Sequence, residues 1–211
     1  MKPRVLTEDF DESSVLRDLS RRDPKMGKLI KRIGPFQLKM KEEGSPYFWL
    51  IRSIIYQQLH GKAAATIHKR MRDLFDGRDP KPHELLAMDQ ERMLGAGLSR
   101  NKLAALRDLA RAAGEGLVPT RRQAKLLTDE EIIERLIPIR GVGRWTVEML
   151  LIFGLKRADV LAVDDFALKK AAMLLYGLEA PPKKQAFLEI GEKWRPWRTI
   201  ASWYLWRSLD S

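Results

Sequence analysis

The stretch Leu136-Ile-Pro-Ile-Arg-Gly-Val-Gly-Arg-Trp-Thr146 decides the fold of this chain. Apolar residues recur at helical spacing both before and after it. We predict that one helix ends near Ile137, that the backbone turns through Gly141 and Gly143, and that a second helix starts near Arg144. Glycine allows such a turn to be tight and to approach another surface closely. The stretch therefore predicts two helices joined by a glycine hairpin.

The hairpin also has the features of a phosphate-binding site. Val142, between the two glycines, can fill the gap between the helices. The free N–H groups at the start of the second helix, together with its positive dipole end, suit a phosphate oxygen. Arg144 and Thr146 would add a positive charge and a hydroxyl. A plain tight turn is the alternative interpretation; we favour binding to a phosphate backbone, independent of base sequence, through Gly141, Val142, Gly143, Arg144 and Thr146.

The rest of the chain is also predicted to be helical. Apolar residues recur every three or four positions, and strand-like alternation is nearly absent. Ser45-Pro46 is typical of a helix start, Thr128 with Glu131 forms a capping box, and Gly177 is placed to end a helix. Proline and glycine breaks divide the chain into about ten short helices, with no linker long enough to separate two independent domains. The sequence predicts an all-α domain.

Composition narrows the classes of partner and cofactor. The 211 residues include 39 Lys plus Arg against 28 Asp plus Glu, a formal charge of +11, which suits a polyanion and above all nucleic acid. The absence of cysteine excludes disulfides, zinc–thiolate sites and iron–sulfur clusters. His60, His68 and His83 show neither metal-ligand spacing nor a carboxylate partner pattern, so we do not expect transition-metal catalysis.

The sequence gives no sign of a membrane or secreted protein. No apolar run approaches the roughly 18 residues needed to cross a bilayer. The N-terminus leads into acidic, mixed sequence without the apolar stretch of a secretory signal. We expect a protein that is cytoplasmic, associated with a bacterial nucleoid, or otherwise intracellular, that does not contact membranes, and that is a monomer.

Four motifs occur in a specific order over roughly residues 12 to 209. They are Ile54-Ile-Tyr-Gln-Gln-Leu-His-Gly-Lys-Ala-Ala64, the hairpin stretch, Val163-Asp-Asp-Phe-Ala-Leu-Lys-Lys170 and Trp194-Arg-Pro-Trp-Arg-Thr-Ile-Ala201. In this order they resemble the helix-hairpin-helix DNA glycosylase superfamily. Trp145 and the paired aspartates resemble the branch of 3-methyladenine DNA glycosylase II.

The resemblance implies a fold of two helical lobes with a DNA-binding cleft between them. We expect a single domain over residues 1–211, with lobe one at about 1–45 plus 151–211 and lobe two at about 46–150. Larger members of the family carry an N-terminal sheet domain. Only about 45 residues precede the Ser45-Pro46 helix, so we expect no such sheet domain here.

The pair Asp164-Asp165 is the candidate for the chemistry. One aspartate can cap the following helix; we expect this to be Asp164, which leaves Asp165 in the first turn with its side chain free to face a cleft. Breaking an N-glycosidic bond passes through an oxocarbenium-like sugar, which a carboxylate beside the anomeric carbon stabilises. The same carboxylate can orient or deprotonate the incoming water. In the resembling family the second aspartate is catalytic, which corresponds to Asp165.

The resemblance also implies a monofunctional enzyme with an aromatic base pocket. Bifunctional relatives carry a Schiff-base lysine where this chain has Trp145, so we expect base removal without strand cleavage. Trp145 and Trp206 match aromatic pocket positions, whereas Met149 and Arg207 stand where some members have tyrosine. Tyr56 could partly replace a missing ring, and electron-rich rings attract a cationic alkylated base. Aromatic residues at helical spacing are also ordinary core residues.

Three further sites are expected on weaker patterns. In the family, the loop around Gln57-Gln58-Leu59-His60 carries the residue that enters the duplex gap, and Gln58 or Leu59 matches it. Ser99 and Lys102 open a helix within a basic segment and could hold a second phosphate, although a solvated face is equally compatible. The family's hairpins often hold a monovalent cation, here through backbone carbonyls of Ile137, Ile139 and Gly141. We expect no other cofactor.

The sequence therefore predicts a monofunctional DNA glycosylase that acts on double-stranded DNA containing alkylated bases such as 3-methyladenine or 7-methylguanine, in base excision repair. Two alternatives stay open. One is a glycosylase of another branch that acts on oxidised or mismatched bases, and the other is a non-catalytic helix-hairpin-helix DNA-binding protein. Residue spacing does not reveal the range of damaged bases.

Overall fold

The fold is that of a computed structural model, which describes residues 3–6, 10–38 and 44–210. These residues form thirteen α-helices and one π-helical turn, Leu150–Gly154, which follows α10 directly. The helices are α1 (Glu12–Arg22), α2 (Pro24–Ile33), α3 (Pro46–Tyr56), α4 (Gly61–Asp73), α5 (Pro82–Ala87), α6 (Gln90–Gly95), α7 (Arg100–Gly114), α8 (Arg121–Ala124), α9 (Asp129–Leu136), α10 (Arg144–Met149), α11 (Phe166–Tyr176), α12 (Lys184–Glu192) and α13 (Arg198–Arg207).

The all-α prediction is confirmed. Within the described ranges there is no β-sheet, and a single antiparallel bridge joins Val5 to Arg157. None of the helices described here is long and apolar enough to span a membrane. Residues 1 and 211, the ends of the predicted single domain, lie outside the described residues. The absence of a further sheet domain stays a prediction.

The chain packs as two compact units. The first lies within Glu42–Leu150 and contains α3 to α10. The second lies within Pro3–Lys41 and Leu151–Ser211 and contains α1, α2 and α11 to α13. The second unit is thus built from both ends of the chain, and the first from its middle.

Helix α7 is the centre of the first unit. It packs against α3, α5 and α6, and its side chains Leu103, Leu106 and Leu109 are buried. Helix α3 buries Ile51 and Ile54 in the same core. Each such side chain contributes about 1.5–3 kcal/mol when it is fully buried. Because α7 is fixed along its length, polar residues at its first turns are held in defined positions.

The second unit is assembled around α2. This helix packs against α1, α11 and α13, and it buries Met26, Leu29 and Ile30. Helix α13 is buried over most of its circumference, including Trp203 and Tyr204. The unit therefore has its own apolar core, on which the N-terminus of α11 is held.

Most predicted helix boundaries agree with the structure. The Ser45 side chain accepts a hydrogen bond from the Phe48 N–H at the start of α3. Thr128 and Glu131 form the predicted capping box of α9. Gly177 ends α11 in the left-handed conformation, with φ of 68°. Local capping chemistry was sufficient to locate these ends.

Candidate functional site

The predicted hairpin is present between α9 and α10, and only one of its two glycines is required by the backbone. Gly141 has φ of 78°, and a Cβ built on it would lie 3.0 Å from the Cβ of Ala105. Gly143 has φ of −88° and no atom within 4 Å of a built Cβ. Val142 is buried, as expected of a residue that fills the space between the helices. Its N–H donates to the Ile139 carbonyl at 3.0 Å.

The side chains after the hairpin are arranged differently from the prediction. The Arg144 guanidinium donates two hydrogen bonds to Glu130, both at 2.8 Å, and one to Glu148 at 3.1 Å. The bond to Glu130 is the main reason why the pKa of Arg144 is raised above its ordinary value. Arg144 is thus not a free positive charge. Thr146 is buried rather than exposed at the helix start. At the turn itself, Gly141 and Gly143 are exposed and, having no side chain, present backbone.

The predicted cation ligands are only partly open to an ion. The Ile139 carbonyl accepts from the Val142 N–H, and the Gly141 carbonyl accepts from the side-chain amide of Gln57 at 2.8 Å. Carbonyl oxygens suit a monovalent cation, and each keeps a second lone pair. The cation at Ile137, Ile139 and Gly141 stays a prediction.

The aspartate pair corrects one sequence expectation. The N-cap of α11 is Asp165, not Asp164, and its Oδ1 accepts from the Leu168 N–H at 2.8 Å. Asp164 instead has an exposed side chain, with ammonium groups of Lys169 and Lys184 at 3.7 and 4.0 Å. Two adjacent aspartates satisfy a cap equally well by residue type, so the sequence did not fix which of them starts the helix.

Asp165 is nevertheless held as a catalytic carboxylate would need to be. It is 9% exposed, and its Oδ1 also accepts from the indole Nε1 of Trp206 at 3.2 Å. The positive end of the α11 dipole lies at the same point, which favours a negative charge there. Both hydrogen bonds come from helices of the second unit, one from α11 and one from α13. The carboxylate therefore has a fixed orientation.

An aromatic pocket adjoins this carboxylate within the second unit. Trp206 stacks on Phe153, with ring centroids 5.8 Å apart and planes 27° apart. Trp206 and Phe153 line an open pocket of about 690 Å³, which is within the size range of ordinary ligand pockets. Its other lining residues are Ile33, Pro35, Gln37, Leu38, Trp203 and Arg207. Arg207, which the resemblance aligns with a tyrosine of some family members, is also ion-paired with Asp210 at 2.8 Å.

The other predicted pocket residues lie in the first unit. Trp145 is 46% exposed, whereas Met149 is buried. Tyr56 is half-buried: the Arg52 guanidinium lies 4.4 Å from its ring centroid, and the His68 ring packs against its edge. The assignment of these residues to a base pocket stays a prediction.

The predicted wedge loop is exposed and has an unusual backbone. Gln58 has φ of 56°, in the left-handed region that only a minority of non-glycine residues occupy. Gln58 is exposed, and Leu59 is 38% exposed. At the neighbouring helix start, Ser99 caps α7 by accepting from the Lys102 N–H at 3.2 Å.

The Lys102 ammonium is already used within the protein. Its Nζ donates to the backbone carbonyls of Ile55 at 2.6 Å and Gln57 at 2.9 Å. Burial lowers the pKa of this ammonium. Lys102 therefore braces the loop instead of pointing to solvent, as a phosphate ligand would. Gln57, which contacts Gly141, was not among the predicted site residues, because a helix-end amide has no distinctive sequence signal.

His68 has a carboxylate partner that the sequence did not reveal: its Nε2 lies 2.7 Å from Asp79. The two residues are 11 positions apart and outside any metal-binding spacing. Among the residues that the structure describes, no cluster of three His, Cys, Asp or Glu side chains could hold a metal ion.

The comparisons with known proteins agree on one family. The sequence profile of the HhH-GPD superfamily of base excision DNA repair proteins matches residues 51–196. DNA-3-methyladenine glycosylase 1 of Schizosaccharomyces pombe is 42% identical over 192 residues, which cover 90% of this chain and 84% of the relative.

Two solved structures have the same fold. One is the S. pombe 3-methyladenine DNA glycosylase in complex with abasic DNA, with a TM-score of 0.83 and 40% identity over 94% of this chain and 97% of that chain. The other is a DNA-3-methyladenine glycosidase from Bacillus halodurans, with a TM-score of 0.83 and 32% identity over 97% and 92% of the two chains.

Proposed function

Because this chain belongs to the HhH-GPD superfamily of base excision DNA repair proteins, we propose that it is a monofunctional DNA glycosylase for alkylated bases. It binds double-stranded DNA, extrudes a base of the 3-methyladenine or 7-methylguanine type, and hydrolyses the bond between base and sugar. The names of its relatives support the reaction class, and the S. pombe structure with abasic DNA supports DNA as the partner.

The observation that carries the proposal is the position of Asp165. Its carboxylate is buried at the N-terminus of α11 and is oriented by the Leu168 N–H and the Trp206 indole. As the C1′–N bond breaks, its electron pair leaves with the base and positive charge develops on the sugar. A fixed carboxylate stabilises that charge without having to reorganise. Water then adds to C1′, and Asp165 orients it or accepts its proton.

Two tryptophans support the choice of substrate and product. Trp206 is held both by Asp165 and by stacking on Phe153, so it offers a fixed aromatic surface beside the carboxylate. Electron-rich rings attract cations, and alkylation at ring nitrogens makes a purine cationic and a good leaving group. Trp145 has no amine, so it cannot form a Schiff base with the sugar. The expected product is an intact strand with an abasic site.

The hairpin is the proposed phosphate contact. Because Arg144 is paired with Glu130 and Glu148, the contact rests on the backbone at Gly141 and Gly143, which reads no base. The reaction uses water and a carboxylate, and as proposed it calls on no cofactor. We further infer that the protein acts as a monomer inside the cell, where its DNA substrate is found.

Replacing Asp165 tests the chemistry directly. Asp165→Asn keeps an Oδ1 that can cap α11 but removes the negative charge. We expect base release from methylated duplex DNA to fall by at least about 100-fold, the scale seen when an electrostatic stabiliser is removed. The measurement is single-turnover release of 7-methylguanine and 3-methyladenine, followed by chromatography of the free bases.

Asp164→Asn is the matched control, since it removes the same charge from the adjacent, exposed side chain. It should release base at nearly the wild-type rate. If the Asp165 and Asp164 variants are equally active, the catalytic assignment is wrong. If the wild-type protein binds duplex DNA but releases no base, the protein is a non-catalytic DNA-binding protein.

A further inference from the structure

The loop Gln57–His60 is held by hydrogen bonds that come from far along the chain. It leaves α3 after Tyr56 and enters α4 at Gly61. Its ends continue the hydrogen bonding of the two helices, from the Gln57 N–H to Ser53 at 3.2 Å and from the Ala64 N–H to His60 at 3.0 Å, and between them the Leu59 N–H donates to Tyr56 at 3.4 Å. Its tip residue Gln58 has a left-handed backbone, which costs free energy and persists only where neighbouring contacts fix it. Two side chains supply those contacts.

The first is Lys102, on the first turn of α7. Its ammonium binds the Ile55 and Gln57 carbonyls, which lie on either side of the helix end at Tyr56. The last carbonyls of a helix need partners, and a lysine can provide them. Here one ammonium spans two carbonyls two residues apart, so it fixes the direction in which the chain leaves α3.

The second is Gln57, whose side-chain amide donates to the Gly141 carbonyl at 2.8 Å. This bond ties the loop to the hairpin, 84 residues away. The hairpin is in turn seated on α7: Ala105 lies against Gly141, and Asp108 accepts from the Arg140 N–H at 2.9 Å. The loop and the hairpin are therefore both held by side chains on the same face of α7.

We propose that Lys102 and Gln57 are positioning residues, which set the Gln58–Leu59 tip at a fixed place relative to the phosphate-binding hairpin so that it can enter the duplex when a base is extruded. The inference rests on the proposed function. Unstacking a base step costs free energy, and a tip that is out of place offsets less of that cost. A displacement of about 1 Å at such a contact can cost up to about 100-fold in rate.

Two pairs of variants distinguish a role of Lys102 and Gln57 in positioning the loop tip from a role in folding. Lys102→Met and Gln57→Met remove the donors but keep the length of the side chain, whereas Lys102→Arg and Gln57→Asn keep a donor. Lys69→Met is the charge control, because Lys69 lies on α4 of the same unit in an exposed pair with Asp73. The thermal midpoint of each variant shows whether it is folded.

The first readout is spectroscopic and involves no chemistry. The probe is a duplex that contains an abasic-site analogue with 2-aminopurine in the opposite strand at that site. Entry of the tip changes the stacking, and hence the fluorescence, of 2-aminopurine. We expect the two methionine variants to lose most of the fluorescence change at saturating protein, the conservative variants to recover part of it, and Lys69→Met to match the wild type.

The second readout compares base release from two duplexes, one with 7-methylguanine opposite cytosine and one with it opposite an abasic-site analogue, where no partner base must be separated. We expect the methionine variants to release 7-methylguanine from the first duplex about tenfold more slowly than the wild type. The decrease in rate on the second duplex should be clearly smaller. Equal losses on both, or an unchanged fluorescence response, would overturn the positioning role. If the wild type changes the fluorescence but releases no base, the proposed function fails while the positioning role stands.

Discussion

At the scale of single residues, Asp23 shows how a buried carboxylate can be structural. It is 3% exposed and caps α2 by accepting from the Lys25 and Met26 N–H groups, both at 3.1 Å. Its other oxygen accepts from the Tyr176 hydroxyl and from the Trp194 indole at 3.0 Å. Four donors thus converge on one side chain, from three segments of the second unit. Such convergence satisfies a buried charge completely.

Asp23 should also make the stability of the protein depend on pH. Burial alone would raise the pKa of its carboxyl, but hydrogen bonds from Tyr176, the Met26 backbone and Trp194 outweigh burial, and the pKa lies below its ordinary value of 3.8. A folded-state pKa that is depressed stabilises the protein above the ordinary value. That stability is lost as pH falls through the folded-state pKa.

We therefore expect Asp23→Ala to lower the free energy of unfolding at pH 7 by about 3 kcal/mol, as a lost cap and unsatisfied buried donors together. The difference from the wild type should shrink as the pH is lowered below about 4. Urea denaturation at several pH values measures both. The exposed Asp73→Asn should change stability by less than about 0.5 kcal/mol. A constant Asp23→Ala penalty down to pH 2 would contradict the assigned pKa direction.

The partners of two basic side chains could not be predicted from the sequence. Arg144 and Lys102 are each recognisable as basic residues at a helix start, and for that reason both were assigned to phosphate. Besides Glu148 on its own helix, Arg144 pairs with Glu130, 14 residues away, and Lys102 binds the carbonyls of Ile55 and Gln57, about 45 residues away. Partners this distant depend on tertiary packing. Asp165, in contrast, was singled out because the adjacent aspartates are visible in the sequence and the family resemblance assigns the chemistry to the second of them.

At the scale of elements, the two glycines of the hairpin have different structural roles. We expect Gly141→Ala to lower the free energy of unfolding by about 1–3 kcal/mol, because the residue has φ of 78° and the new methyl group would meet Ala105 at 3.0 Å. Thermal denaturation tests this. Gly143→Ala is the natural control, since its backbone is extended and the position is open. Equal destabilisation by the two substitutions would contradict this distinction.

Elements were predicted better than the contacts between them. Capping boxes, proline starts and glycine ends are encoded within four residues, so α3, α9 and the end of α11 could be located from sequence. The start of α11 was misplaced by one residue because Asp164 and Asp165 are chemically equivalent caps. The π-helical turn Leu150–Gly154 was not predicted from the sequence, since its hydrogen-bond spacing differs from that of an α-helix by only one residue.

At the scale of the whole molecule, the net charge of +11 predicts how binding responds to salt. Each phosphate that the protein neutralises contributes about −0.9 to the slope of log affinity against log salt. We expect a steep, linear decrease on undamaged duplex DNA. The slope should be the same on two unrelated sequences, because the contact proposed for the hairpin backbone is to phosphate and not to bases. Fluorescence anisotropy with labelled duplexes measures it; a flat salt response or a strong sequence preference would be inconsistent with this mode of binding.

The hydrogen bonds that anchor the loop Gln57–His60 determine when its backbone loses conformational entropy, at folding or at DNA binding. Fixing the backbone of a residue costs about 1–2 kcal/mol of conformational entropy. Since Lys102 and Gln57 order this loop when the protein folds, that entropy is already lost before any duplex arrives. In the role proposed for the loop, binding to each new DNA site then requires no further ordering of its backbone. The loop would enter the duplex already ordered, so the entropy cost falls on folding and not on binding.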